Sequence, residues 1–196
     1  MAGRTTFQRV KPVLVTLSAV LRLLPGGLRG WLWTLSDGLP GTLGAGCRYA
    51  LARASGASLG DNVYFGRGVT VKNWRNLRLG RNVSIHEHCF LDALGGITVG
   101  DDVSIAHGAS LVAFDHGVEA GLPLKYGPLL PGPIVVSSDV WISAGVRVLR
   151  DTTIGTRTIL AANAVARGDL AGGAIYGGVP ARRLKTLEAA DPPAGA

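Results

Sequence analysis

The chain has 196 residues, 47% of them apolar, enough to bury a core of its own and to set aside a chain too polar to fold. Its formal charge is +7, but residues 1–57 carry seven cations against Asp37 alone while the other 139 residues are nearly neutral. A localised excess without an aromatic-interleaved basic patch argues against nucleic acid as a partner. Cys47 and Cys89, far apart, make neither a disulfide framework nor a metal site and suit a reducing cytoplasm.

The first element is a basic, leucine-rich arm, residues 1–57. Its apolar run at 12–24 (PVLVTLSAVLRLL) is interrupted by Arg22 and falls short of the ~20 residues that span a bilayer. Two or three short helices are expected, broken at Pro25-Gly26-Gly27 and Pro40-Gly41. They either pack on the body or a neighbouring subunit, or form an amphipathic arm lying peripherally on the cytoplasmic face of a membrane, with Trp31 and Trp33 at the interface.

From residue 59 a large apolar residue recurs every six positions: Leu59, Phe65, Val71, then Leu79, Ile85, Leu91, then Val99, Ile105, Leu111, then Val136, Ile142, Val148, then Ile154, Leu160, Ala166. A period of six suits neither an α-helix nor a plainly alternating strand. It suits one short strand plus one bend, three of which close a triangular coil; coils then stack by parallel pairing at ~4.8 Å. The fifteen positions predict an all-β parallel β-helix of about five coils over residues 58–187, a prism roughly 24 Å long from that spacing. Small or branched residues four places after each head, Cys89 among them, should also face inward, which gives that thiol a structural role. The twenty-nine glycines, without a collagen-like period, fit a fold that turns this often.

One long interruption, residues 112–135, carries Asp115-His116-Gly117 and a Gly- and Pro-rich stretch, and loops of such length inside a compact domain are usually functional. After the last coil, residues 182–189 (RRLKTLEA) read as a short C-terminal helix that caps the open end of the prism. Residues 188–196 read as a disordered tail.

Three stretches, IAHGASLVAFDH at 105–116, DVWISAG at 139–145 and YGGVPARRLK at 176–185, make the chain resemble the left-handed β-helix, hexapeptide-repeat acyltransferases, the group of the galactoside, maltose and polysaccharide O-acetyltransferases. The left hand comes from this resemblance alone, since the general rule for parallel crossovers favours the opposite one. The resemblance implies a homotrimer that uses acetyl-CoA as donor, with no metal, and transfers the acyl group directly to a hydroxyl of a saccharide or glycolipid acceptor. His116 matches the family's general base, a role for which an imidazole titrating near neutrality is suited. Asp115 or a loop carbonyl would hold its tautomer. Ala144 and Ala162 match corners where a small side chain admits the pantetheine, or else they simply pack; Arg182 and Lys185 match cations near the nucleotide phosphates. Relatives carry Thr-Lys where this chain has Arg167-Gly168, so Arg167 is a displaced cofactor contact. His88 falls where relatives hold the acceptor with asparagine, and Glu87 and Asp92 in the same coil could accept from sugar hydroxyls. Two other readings remain open: a γ-carbonic-anhydrase-like metalloenzyme drawing on His86, His88, His107 and His116, and a non-catalytic scaffold.

Overall fold

The computed structural model describes residues 2–187. Its body is a three-faced stack of parallel strands. The first face holds Ser58–Leu59, Leu77–Leu79, Ile97–Val99 and Ile134–Val136; the second holds Tyr64–Phe65, Ser84–Ile85, Ser104–Ile105, Val140–Ile142, Thr158–Leu160 and Ala174–Gly177. The third holds Thr70–Lys72, Phe90–Asp92 and Ser110–Val112. Two longer strands, Arg147–Ile154 and Val165–Leu170, turn the corner from the third face to the first. Register places the hexad heads on top of one another: Leu59, Leu79, Val99, Val136 and Ile154 on face one, Phe65, Ile85, Ile105, Ile142 and Leu160 on face two, and Val71, Leu91, Leu111, Val148 and Ala166 on face three.

All of these heads are buried except Val71, which is partly exposed on the first coil, and Cys89, Thr152 and Thr158 point inward with them. Each fully buried large aliphatic side chain contributes ~1.5–3 kcal/mol, and the columns together make the core. A partial sixth turn adds Leu170 under Ile154 and Tyr176 under Leu160. At the first corner, Asn62, Asn82, Asp102, Asp139 and Arg157 all adopt left-handed backbone with φ of 56–58°. Their side chains stack there too: the Asn62 amide donates to Asn82 (3.1 Å) and the Asn82 amide to Asp102 (2.8 Å).

The arm forms three helices, α1 (Ala2–Arg22), α2 (Gly26–Leu35) and α3 (Gly41–Ala54), broken at the expected Pro-Gly sites. α3 covers the open end of the first coil with Tyr49 and Ala52. Arg48, 2% exposed, donates from Nε to the Phe65 carbonyl (2.7 Å) and from Nη1 to the Ser36 carbonyl (2.8 Å), so its buried donors have acceptors. α1 lies on α3 through the edge-to-face pair Phe7–Tyr49 and is tied to the body by Lys11 and Asp61 at 2.8 Å. Trp33 departs from expectation. Its indole N–H donates to the Val69 carbonyl (2.9 Å) and its ring packs on Phe65 and Trp74, because the first coil has no strand above it and needs an apolar cover. Trp31 is the exposed one, at 59%.

The far end is also different from the sequence expectation. Arg182–Thr186 is a strand antiparallel to Ala174–Gly177 rather than a helix. Helix propensity is a weak preference, and the unpaired edge of the last strand offers backbone partners that an isolated turn of helix cannot match. Residues 188–196, the expected tail, lie outside the described residues. No helix among the described residues is long and apolar enough to cross a membrane.

Candidate active site

The interruption leaves the prism at the third corner. Phe114–His116 pairs antiparallel with Leu129–Pro131, opposing His116 to Leu129, and the hairpin is fastened by Gly117 N–H to the Pro128 carbonyl (2.7 Å) and Gly132 N–H to the Ala113 carbonyl (3.1 Å). The His116 imidazole is exposed and meets the edge of Phe114 at 5.9 Å. Asp115 is turned elsewhere: its carboxylate accepts from Arg150 Nε (2.9 Å), with Arg167 Nη2 at 3.6 Å. Arg150 also reaches Asp151 (2.7 Å), so one half-buried guanidinium clamps the hairpin to the fourth coil. Asp115 therefore positions the loop rather than the imidazole. Arg167 belongs to this corner as well.

The second corner runs along the prism as a ladder of tight turns. Gly108 N–H donates to the Glu87 carbonyl (3.0 Å), Gly145 to His107 (3.1 Å) and Asn163 to Ala144 (2.9 Å), which puts Glu87, His107, Ala144 and Ala162 in one column over successive coils. Gly145 is required there, with φ of 70° and the Asn163 carboxamide standing where a Cβ would project. Gly178 continues the column, and Arg182 pairs with the adjacent Gly177, so from Glu87 to this end is about 19 Å at four coil spacings. Lys185, opposite Ile175, is exposed on the last strand away from the column. Ala144 and Ala162 present only methyl groups to this edge and leave it open to a long, thin ligand. Arg147, which the sequence reading passed over, lies against the same turns, its Nη1 donating to Gly108 (2.7 Å) and Gly145 (2.8 Å) carbonyls.

At the near end of the column Tyr64 donates to Glu87 (3.1 Å) and stands beside His86. Glu87 is held below the usual carboxylate range by its own backbone N–H, with the Tyr64 hydroxyl adding to the effect. Burial pushes the Tyr64 phenol up, as does the neighbouring Glu87 charge. His88 is exposed, in left-handed conformation (φ 58°), with its ring laid over Gly68. Asp92 is not with them. It is 5% exposed at the third corner, the corner from which the His116 hairpin leaves, and accepts from the Asn73 amide (2.7 Å). Cys89 is a core residue: burial pushes its thiol up to about 11. Among the described residues no three His, Cys, Asp or Glu side chains converge as metal ligands would.

The candidate residues thus lie on two different edges of the chain. His116 with Arg167 occupies the third corner. Glu87, His88, Ala144, Ala162 and Arg182 line the second; the two corners themselves are separated by face three, about 17 Å at the rise of five strand residues.

A prism of hexad coils with a histidine-bearing hairpin and a small-residue edge defines a hexapeptide-repeat β-helix protein. No family model matches the chain. It is 32% identical over 114 residues to a Mycobacterium tuberculosis protein named as an acetyltransferase, covering 58% of this chain and 38% of that one. It is 26% identical over 144 residues to the galactoside O-acetyltransferase of Escherichia coli, covering 74% and 70%. Among solved structures, a hexapeptide-repeat acetyltransferase of Vibrio cholerae complexed with acetyl coenzyme A superposes with a TM-score of 0.72 at 25% identity, over 91% of this chain and 89% of that one. In sequence and in fold the chain is thus similar to hexapeptide-repeat acetyltransferases. It spans well under half the length of the mycobacterial relative.

Proposed function

We propose that this protein transfers an acetyl group from acetyl-CoA to a hydroxyl of a saccharide or glycolipid acceptor, as a cytoplasmic homotrimer in which each site is shared by two subunits. The observation that carries the reading is the division of the candidate residues between two edges. A general base must come within hydrogen-bond reach of the proton it removes, and the hairpin that carries His116 leaves the prism at a different corner from the small-residue edge of its own chain. A closed threefold ring joins different patches of neighbouring subunits, and the proposed trimer sets the third corner of one subunit against the second corner of the next.

In that arrangement the donor lies along the Ala144–Ala162 edge with its phosphates toward Arg182, Lys185 standing off that edge, and Arg147 is a further cation within it. His116 removes the acceptor hydroxyl proton as the oxygen attacks the thioester carbonyl. The carbonyl becomes a tetrahedral oxyanion, for which the Ala144 N–H is the candidate donor. Collapse breaks the carbon–sulfur bond, the thiolate takes the proton back from the imidazolium, and the ester departs. Glu87 and His88 bind acceptor hydroxyls, and Arg167 stays near the hairpin through Asp115. The N-terminal arm brings the trimer to the cytoplasmic face of a membrane.

His116→Ala should lower thiol release from acetyl-CoA with a competent acceptor by ~10²–10⁴-fold while leaving coenzyme A affinity and the trimer intact. Wild-type turnover by that variant would end the proposal. Zinc analysis of the purified, active protein should find no stoichiometric metal; stoichiometric zinc whose removal abolishes activity would favour the metalloenzyme reading.

A further inference from the structure

We infer that the outward face of α1 and α2 docks on an anionic lipid surface. The inference rests on the membrane contact proposed above for the arm and is independent of the acyl-transfer chemistry. α1 has two apolar faces where a helix on a soluble body needs one. Phe7, Leu14 and Ser18 are buried against the rest of the arm. On the other side Val10, Val13, Leu17 and Val20 recur at spacings of three and four and stay exposed, and Leu23 is 85% exposed. α2 buries no residue, and its Leu28, Trp31 and Leu35 face outward. Leu17 and Leu35 join the two faces, because both also line a groove of about 250 Å³ walled by Leu21, Leu32, Leu39 and Leu51. A continuous apolar surface of this kind, unlike scattered exposed leucines, marks a contact surface.

Charge selects the occupant. Residues 1–36 contain five cations and no Asp or Glu. Lys11 is tied to Asp61, and Arg29 caps α1 through the carbonyls of Arg22 and Leu24. Arg9 and Arg22 remain exposed beside the apolar face. A second copy of the same face would set cations against cations with no carboxylate between them. A layer of anionic headgroups complements them, while the apolar side chains enter the acyl boundary and the amphipathic Trp31 ring settles at the interface.

The test is cosedimentation of the full chain with vesicles of phosphatidylcholine alone or of phosphatidylcholine mixed with phosphatidylglycerol. Binding to the mixed vesicles, weakened by salt, is expected. The double variant Val13→Glu, Leu23→Glu should bind roughly tenfold or more weakly, from the loss of two apolar contacts and the gain of two like charges. Its circular dichroism should be unchanged, since both side chains face solvent. The inference is overturned if the wild type stays in the supernatant with both vesicles, or if the double variant binds as the wild type does. It is equally overturned if the variant instead breaks up a larger oligomer that does not bind lipid.

Discussion

His88 holds a left-handed backbone at a corner where the equivalent residues are Gly68, Gly108, Gly145 and Asn163. A non-glycine residue there costs about 1 kcal/mol, so replacing it by glycine should leave the melting temperature unchanged or slightly raised. If its imidazole meets an acceptor hydroxyl, His88→Gly should raise the acceptor KM about fivefold, the worth of one hydrogen bond, without altering coenzyme A affinity. An unchanged KM would return His88 to the surface. The case for His116 rests on its neighbours, since an isolated loop histidine has no signature and the motifs on either side of it supply one. The hexad position of Asp92 says that it lies on a strand but not that it stands at the third corner, away from Glu87 and His88, with Asn73 nineteen residues earlier donating to its carboxylate. Tyr64, Arg147 and Arg150 were passed over for a related reason: their roles come from contacts across coils, which a linear pattern does not display.

The elements were more legible than the side chains. A period of six placed every head except Val71 in the core, because a strand and a corner repeat together and a one-residue slip would turn every apolar head outward, but it did not mark Leu77, Ile97 and Ile134, which are fully buried as well. The ends were harder. Arg182–Thr186 has a helical composition but pairs as a strand, and Trp33 looked like an interfacial residue but seals the first coil, since both respond to edges that exist only once the stack is built. Two contacts fasten the non-repetitive elements. Asp61, which ties α1 to the body, is held below its ordinary value of 3.8 by Lys11 first and then by Gln8. A carboxylate depressed in the folded state stabilises above its unfolded pKa and loses that contribution as pH falls through the folded value. Asp61→Asn should therefore cost about 0.5 kcal/mol at neutral pH and make unfolding less steep on the acid side below pH ~4, read by thermal melts across pH. Arg150→Ala should loosen the hairpin and lower kcat with little change in coenzyme A affinity; an equal loss of donor binding would show that Arg150 acts elsewhere.

At the scale of the molecule, the stack is a rigid ruler that holds the two sets of candidate residues on separate edges, and the proposed shared site follows from that separation. The candidate residues were legible in the sequence but the division between edges was not, since the hexad pattern carries Glu87 and Ala144 to one corner while the hairpin that holds His116 falls outside the pattern. The decisive measurement mixes two inactive proteins, His116→Ala and Ala144→Trp, under conditions in which tagged subunits copurify as mixed trimers. A shared site predicts that activity returns to about a quarter of the wild-type value, because one site in four then pairs an intact histidine with an intact edge. Mixed trimers that form and remain inactive would contradict the shared site, since that result requires each chain to complete its own.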